Sequence, residues 1–149
     1  MIFTQKIFGH TSSLQPVFLY RLENEAGAYI EVLNYGCRIR SICVPDKDGR
    51  MRNVCLGYNS LEEYENDTEY YGAAVGRCSN LISNAGFCLN STYYALAANA
   101  GAHHLHGGPN GFAFFKLGCY EARQQAYIQP TYTRFKRRLS GQFADEGYL

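Results

Sequence analysis

The first part of the chain alternates apolar runs with short polar breaks. Pro16–Glu23 is rich in residues that favour strands, the polar residues 24–27 follow, and Tyr29–Leu33 is apolar again. Two such runs joined by a short segment containing Gly are typical of an antiparallel hairpin. The pattern therefore predicts two paired strands before residue 34.

A third strand is predicted from a period of two. Cys37, Ile39 and Ser41 alternate with Arg38 and Arg40, as expected when one strand face is buried and the other faces water. Residues 45–49 then combine a Pro, two Asp and a Gly, which favour a tight turn. We expect this turn to lead into a further strand at residues 51–56.

One short helix and more strands are predicted downstream. Ser60 and Glu63 have the spacing of a capping box, which predicts a helix at Leu61–Glu65. Residues 87–89 and 93–96 flank an Asn-Ser-Thr break and predict a second hairpin, and residues 116–122 read as one more strand. Many short strands at regular spacing indicate an all-β, antiparallel fold, a sandwich or a barrel.

Composition narrows the class of protein. A chain of 149 residues with 46% hydrophobic and 18% charged residues fits one folded domain. The formal net charge of +1 provides no long-range attraction to nucleic acid or to an anionic membrane, so neither partner is expected. The basic residues 134–138 read as a solvated strand or loop rather than an RNA-binding arm. No apolar export signal opens the chain, which favours a cytoplasmic location.

Candidate chemistry concentrates in one histidine-rich segment. His103, His104 and His106 precede Gly107 and Gly108. A metal site is disfavoured because no carboxylate or Cys lies nearby to complete the ligand set, and the six cysteines, expected to be mostly buried, show no C-x-x-C spacing. Two interpretations stay open: polar groups that organise a loop, or a ligand loop in which neutral imidazoles offer a donor and an acceptor to sugar hydroxyls.

Several short phrases resemble, in order along the chain, the aldose 1-epimerase (galactose mutarotase) family. The phrases are Ile7-Phe8-Gly9-His10, Asn34-Tyr35-Gly36, residues 44–49, Leu56-Gly57-Tyr58, residues 71–77, Asn80 and Leu105-His106-Gly107-Gly108. The resemblance implies a galactose mutarotase-like antiparallel β-supersandwich. Residues 1–149 would then be the N-terminal part of one such domain, which is incomplete in this chain.

The resemblance also implies a chemistry. The family interconverts the α and β anomers of free aldohexoses such as galactose and glucose, without metal or cofactor. A general base and a general acid open and reclose the ring. The family's acid, a His, and its base, a Glu, match no residue here, so this chain carries no catalytic residue and is expected to be inactive alone.

By resemblance, Asn80 and His106 are the substrate-binding residues. Leu81 stands where the family has a sugar-binding Arg, and Leu has no donor to offer. This departure keeps an alternative open, a non-catalytic carbohydrate-binding module on the same sandwich. A partial sandwich also exposes sheet edges, through which the chain could self-associate.

Overall fold

The structure is a computed structural model that describes residues 1–116 and the backbones of residues 118–122 and 125–129. Its largest element is a five-stranded antiparallel sheet in which each strand pairs with its neighbours in sequence. The strands are β1 (Ile2–His10), β2 (Pro16–Glu23), β3 (Tyr29–Leu33), β4 (Ile39–Pro45) and β5 (Met51–Asn53). The predicted hairpin is β2–β3, so that prediction is confirmed.

The sheet has two free edges of very different length. β1, which the apolar pattern did not predict, pairs with β2 on one side only and forms one edge. Ile2 and Ile7 on this strand are 59% and 58% exposed. The other edge is β5, which has three residues where the sequence predicted six. An exposed strand of nine residues is the longer unpaired edge of this sheet.

The helix α1 (Leu61–Glu65) packs on the sheet and completes the core. Its buried residues Leu61 and Tyr64 pack against three residues of the sheet and against Tyr35, which follows β3. The three sheet residues are Val17, Leu19 and Leu33. The predicted capping box is confirmed. The Ser60 hydroxyl accepts from the amide of Glu63 at 3.3 Å, and the Ser60 amide donates to the Glu63 carboxylate at 2.9 Å.

Arg38 contradicts the predicted alternation. The pattern placed it on a solvated strand face, but it lies before β4 and is fully buried. Its main-chain carbonyl accepts from the amide of Leu33 at 2.8 Å, inside the β3–β4 connection. Burial of this cation is possible because Asp67 forms an ion pair with it.

Three two-stranded ladders follow the sheet. They are β6 (Leu81–Ile82) with β9 (His104–Leu105), β7 (Gly86–Leu89) with β8 (Thr92–Ala95), and β10 (Gly118–Ala122) with β11 (Gln125–Gln129). The predicted second hairpin is β7–β8. Asn90 and Ser91 between its strands have φ of 49° and 63°, as a two-residue turn matched to the strand twist requires.

Within the part of the chain that the structure describes, antiparallel strands and a single short α-helix confirm the predicted fold class. No helix there is long and apolar enough to cross a membrane. The expected burial of the cysteines is wrong: of five described, Cys43 is buried, while Cys78 and Cys88 are exposed. The basic residues 134–138 lie outside the described residues.

Candidate functional site

The short β6–β9 ladder brings the two predicted binding residues together. Asn80 precedes β6 and His106 follows β9, so antiparallel pairing of Leu81 with Leu105 places them side by side. The amide of His106 donates to the carbonyl of Asn80 at 3.0 Å, and the amide of Asn80 donates to His106 Nδ1 at 3.0 Å. Two residues 26 positions apart in sequence therefore form one reciprocally bonded pair.

Both members of the pair have left-handed backbone geometry. Asn80 has φ of 64° and His106 has φ of 51°, a region in which Asn and His are enriched among non-glycine residues. Gly107 continues the left-handed turn with φ of 90°. A side chain at position 107 would overlap the carbonyl of Gly76, so Gly107 lets the histidine loop touch the loop before β6.

The three histidines of the segment 103–106 all bond to main-chain groups. His103 Nδ1 accepts from the amide of Asn84 at 3.1 Å, as His106 Nδ1 does from Asn80. His104 Nδ1 lies 2.8 Å from the carbonyl of Ala97 and must donate, because a carbonyl only accepts. Among the described residues no three His, Cys, Asp or Glu side chains cluster as metal ligands. The histidines thus organise loops, and His106 alone also belongs to the predicted binding pair.

Tyr70 and Asn99, which no sequence motif marks, support His106. The Tyr70 ring meets the His106 ring edge to face at 4.9 Å between centroids. Asn99 holds both main-chain groups of Leu105, the residue before His106. Asn99 Oδ1 accepts from the Leu105 amide at 2.7 Å, and Asn99 Nδ2 donates to the Leu105 carbonyl at 2.9 Å. Nδ2 also lies 3.3 Å from the Tyr70 hydroxyl.

A groove of about 310 Å³ runs beside this support. Neither Asn80 nor His106 lines it. Three residues of the groove wall also support the pair: Tyr70 touches the His106 ring, Leu105 precedes His106, and Asn99 bonds to Leu105. The wall consists of Asp67, Thr68, Tyr70, Asn99, Leu105, Pro109 and Phe114.

The buried Arg38 joins the loops that carry these residues. Its guanidinium pairs with Asp67 and also donates to the carbonyls of Tyr71 at 3.2 Å and Ala113 at 3.4 Å. Residues 67–71 and the turn Phe112–Phe114 are thereby fixed to the start of β4. Tyr70 and Phe114, whose rings meet at 5.6 Å, sit on these two loops.

The Asp67 carboxylate accepts hydrogen bonds from three protein groups. Burial by itself would raise its pKa, but hydrogen bonds from Arg38, the amide of Glu69 and the Tyr58 hydroxyl outweigh burial, and the pKa lies below its usual value. Burial, together with the bond to Asp67, raises the pKa of Tyr58 to about 12. At neutral pH Asp67 is therefore a carboxylate and its partner Tyr58 a protonated phenol.

Leu81 provides no guanidinium beside the Asn80–His106 pair. Its backbone pairs with Leu105, and its side chain is 46% exposed. A Leu at this place provides an apolar surface next to Asn80 and no hydrogen-bond donor.

The chain matches known proteins in sequence and in fold. A family model described as aldose 1-epimerase matches residues 19–140, which is most of the chain. The chain belongs to the aldose 1-epimerase family. The match extends beyond the phrases quoted from the sequence, which end at Gly108.

Individual relatives agree with this assignment. The chain is 36% identical over 110 residues to a galactose mutarotase from Sus scrofa, an alignment that covers 73% of this chain and 32% of that protein. It is 35% identical over 98 residues to an aldose 1-epimerase from Escherichia coli strain K12, covering 66% of this chain and 28% of that protein. The crystal structure of galactose 1-epimerase from Lactobacillus acidophilus NCFM superimposes with a TM-score of 0.67 at 24% identity, covering 85% of this chain and 36% of that one.

The structural match shows that the antiparallel sheets of this chain have the galactose epimerase fold. The chain spans about a third of the length of these relatives.

Proposed function

We propose that this member of the aldose 1-epimerase family binds a free aldohexose, galactose or glucose, through Asn80 and His106. The observation that carries the proposal is their contact at the end of the β6–β9 ladder. The side-chain amide of Asn80 and the imidazole of His106 both carry groups that can hydrogen-bond the hydroxyl groups of a sugar ring. Family membership supports this choice of ligand.

The reaction we propose for the complete site is mutarotation. A base removes the proton of the anomeric hydroxyl while an acid protonates the ring oxygen, and the aldehyde then recloses on either face. The resemblance gives no counterpart in these 149 residues for the family's catalytic His and Glu. We therefore expect the 149-residue chain by itself to bind sugar with little or no acceleration of mutarotation, and we invoke neither metal nor cofactor.

A second candidate, a carbohydrate-binding protein without catalysis, is favoured by one observation. The exposed Leu81 side chain next to Asn80 offers no donor where the family resemblance expects a guanidinium. A site lacking that contact could still hold a sugar through the remaining pair.

Two measurements on the full chain test sugar binding and catalysis separately. The first is a titration of ¹⁵N-labelled protein with D-galactose, with L-galactose as the control for nonspecific effects. The second is polarimetry of freshly dissolved α-D-galactose with and without the chain. Binding without acceleration agrees with our proposal for this chain, and acceleration above buffer would show a catalytic pair that we have not assigned.

A matched pair of variants locates the binding site. His106→Ala is expected to remove the response to D-galactose, whereas His10→Ala, on the exposed end of β1, is expected to leave it unchanged. If D-galactose causes no specific change in the wild-type chain at any concentration reached, the proposal is wrong.

Three further expectations accompany this function. A cytoplasmic location and the absence of nucleic-acid and membrane partners stay predictions from the sequence. Self-association also stays a prediction, and the exposed β1 edge is where we expect it. Sedimentation velocity over a range of protein concentrations, with and without Ile7→Lys on that edge, tests it.

A further inference from the structure

The free edge formed by β1 has few of the features by which proteins protect a sheet edge. Among the described strands β1 pairs with β2 alone, so every second main-chain amide and carbonyl along it points away from the sheet. β1 contains no proline, and Lys6 is its only Lys, Arg, Asp or Glu residue. The opposite edge is better protected, because β5 has only three residues and one of them is Arg52.

The exposed apolar residues of β1 lie on one face of the strand. Side chains alternate along a strand and the bulge comes only after Ile7, so Phe3, Gln5 and Ile7 share a face. The Phe3 ring stacks on the Tyr20 ring of β2 at 5.9 Å between centroids, which places Tyr20 on the same face. Phe3 is 37% exposed and Ile7 is 58% exposed. The edge therefore presents both unpaired main-chain groups and apolar side chains.

Symmetry limits the ways in which two copies of the chain can join at this edge. Two identical strands that pair with each other are related by a twofold axis, and antiparallel pairing in one sheet requires that axis to be perpendicular to the sheet. This rotation keeps each side chain on its own face, so paired residues come from the same face of β1. The axis therefore passes through a residue and not between two residues.

Two of the four interior axis positions in the regular run Ile2–Ile7 are unfavourable. An axis through Lys6 sets two ammonium groups directly opposite each other, which is destabilising. An axis through Phe3 pairs only residues 2–4 within the run. The remaining positions are Thr4 and Gln5.

The cross-strand pairs favour Gln5 over Thr4. An axis through Thr4 sets Phe3 opposite Gln5 and leaves Lys6 opposite Ile2. An axis through Gln5 sets Phe3 opposite Ile7 in both halves of the interface, and an aromatic residue opposite a β-branched one is a stabilising pair. Lys6 then lies opposite Thr4, so no like charges meet.

We propose that β1 pairs antiparallel with β1 of a second copy of this chain, about a twofold axis through Gln5. The two five-stranded sheets then form one continuous sheet, with β5 at each end. The dimer is closed, because the β1 edge of each copy is used by the other. This proposal goes beyond sugar binding and does not depend on it, since β1 contains neither Asn80 nor His106.

The wild-type chain tests the dimer and its location. Sedimentation velocity over a range of concentrations should show monomer and dimer only. Residues 3–7 form a smaller interface than the roughly 800 Å² per partner of stable complexes, so we expect a Kd above about 1 μM. In ¹⁵N spectra of the full chain, the amide signals of residues 3–7 should shift with concentration while those of β5 do not. A monomer at all concentrations up to about 1 mM, an open-ended polymer, or shifts confined to residues outside β1 would overturn the proposal.

Charged variants locate the axis. A charge at Gln5 would lie opposite itself, so Gln5→Glu and Gln5→Lys should each weaken the dimer about two- to fivefold, whatever the sign. Thr4→Glu places a carboxylate opposite Lys6 of the second copy, which has no ion pair among the described residues. This variant should tighten the dimer about threefold or more, since the pair occurs twice.

Further variants serve as controls. Adding Lys6→Glu to Thr4→Glu replaces the attraction by repulsion and should reverse the gain. Met51→Glu on β5, at a residue that is 40% exposed, is the matched control and should leave the Kd unchanged. A weaker dimer in Thr4→Glu, as an axis through Thr4 would give, or a tighter one in either Gln5 variant refutes the axis through Gln5. Thermal melts show whether each variant is folded, and tightening in Thr4→Glu cannot result from a loss of folding.

Discussion

Replacing Arg38 with Met should destabilise the fold more than any change on its surface. Arg38 is fully buried, and it pairs with Asp67, whose side chain is also inaccessible to solvent. Methionine keeps much of the aliphatic volume but removes the charge. The substitution therefore leaves a buried carboxylate without its counter-charge, which is the costly way to break an ion pair.

The magnitude follows from the contacts. Loss of one partner of a buried ion pair costs about 3–5 kcal/mol. The two bonds from Arg38 to the carbonyls of Tyr71 and Ala113 are long, at 3.2 and 3.4 Å. They add about 1 kcal/mol together. An expected loss of about 4–6 kcal/mol approaches the whole stability of a small domain, which is about 5–15 kcal/mol.

The effect should depend on pH in a definite direction. The pKa of Asp67 in the folded protein lies below its usual value of 3.8. The stabilisation of the wild-type chain by this carboxylate is therefore fully present above the unfolded pKa and is lost as pH falls through the lower, folded pKa. In Arg38→Met the carboxylate has no cation, so the difference between variant and wild type should be largest near neutral pH and shrink on acidification.

Urea unfolding followed by circular dichroism measures these free energies. Arg52→Met is the matched control, because Arg52 forms an ion pair with Asp46 and its side chain is 60% exposed. This variant should change the free energy of unfolding little. Asp67→Asn with Arg38→Met completes a double-mutant cycle. If the two losses add to within about 0.5 kcal/mol, the sites are uncoupled and the reasoning about the buried pair is refuted.

Three further predictions concern local features. Ser60→Ala removes the helix cap and should cost about 1 kcal/mol in urea unfolding, with a loss of helical signal; an unchanged midpoint would contradict the cap. Burial and a hydrogen bond to a carboxylate raise the pKa of Tyr58 to about 12, so the alkaline ultraviolet titration should lose its last component in Tyr58→Phe. The folded state is favoured below the usual tyrosine pKa of 10.0, and this contribution is lost as pH rises toward 12. Gly107→Ala, which meets the carbonyl of Gly76, should destabilise more than Gly49→Ala, which has similar φ but open space; equal losses would show that the loop contact is unimportant.

Local sequence signals predicted the elements whose stabilisation is local. The β2–β3 and β7–β8 hairpins and the capped helix α1 each carry their own turn or cap residues. β1 was missed because an edge strand with mostly exposed residues needs no apolar face. β6 and β9, with two residues each, are too short for any period to appear.

The candidate site was only partly accessible to the same reasoning. Asn80 and His106 could be singled out through a family resemblance, and their adjacency follows from a ladder that the sequence did not reveal. Tyr70 and Asn99 carry no motif, because an aromatic edge contact and a side-chain bracket on a main chain depend on three-dimensional placement. Nothing in the sequence pattern marked Arg38 as buried, since its partner lies 29 positions away in a loop.

Arg38 links the stability of the core to the geometry of the site, because it contacts residues far away in the sequence. Arg38 fixes the loop of residues 67–71 and the turn Phe112–Phe114 to the start of β4. Tyr70 on the first loop then restrains His106, whose Nδ1 is bound by the Asn80 amide. Each link is a contact between residues far apart in sequence, so the loops depend on these contacts for their position. A substitution at Arg38 should therefore shift the NMR signals of the His106 ring at denaturant concentrations below those that unfold the β2–β3 hairpin, because the loops have no other ion pair to the core among the described residues.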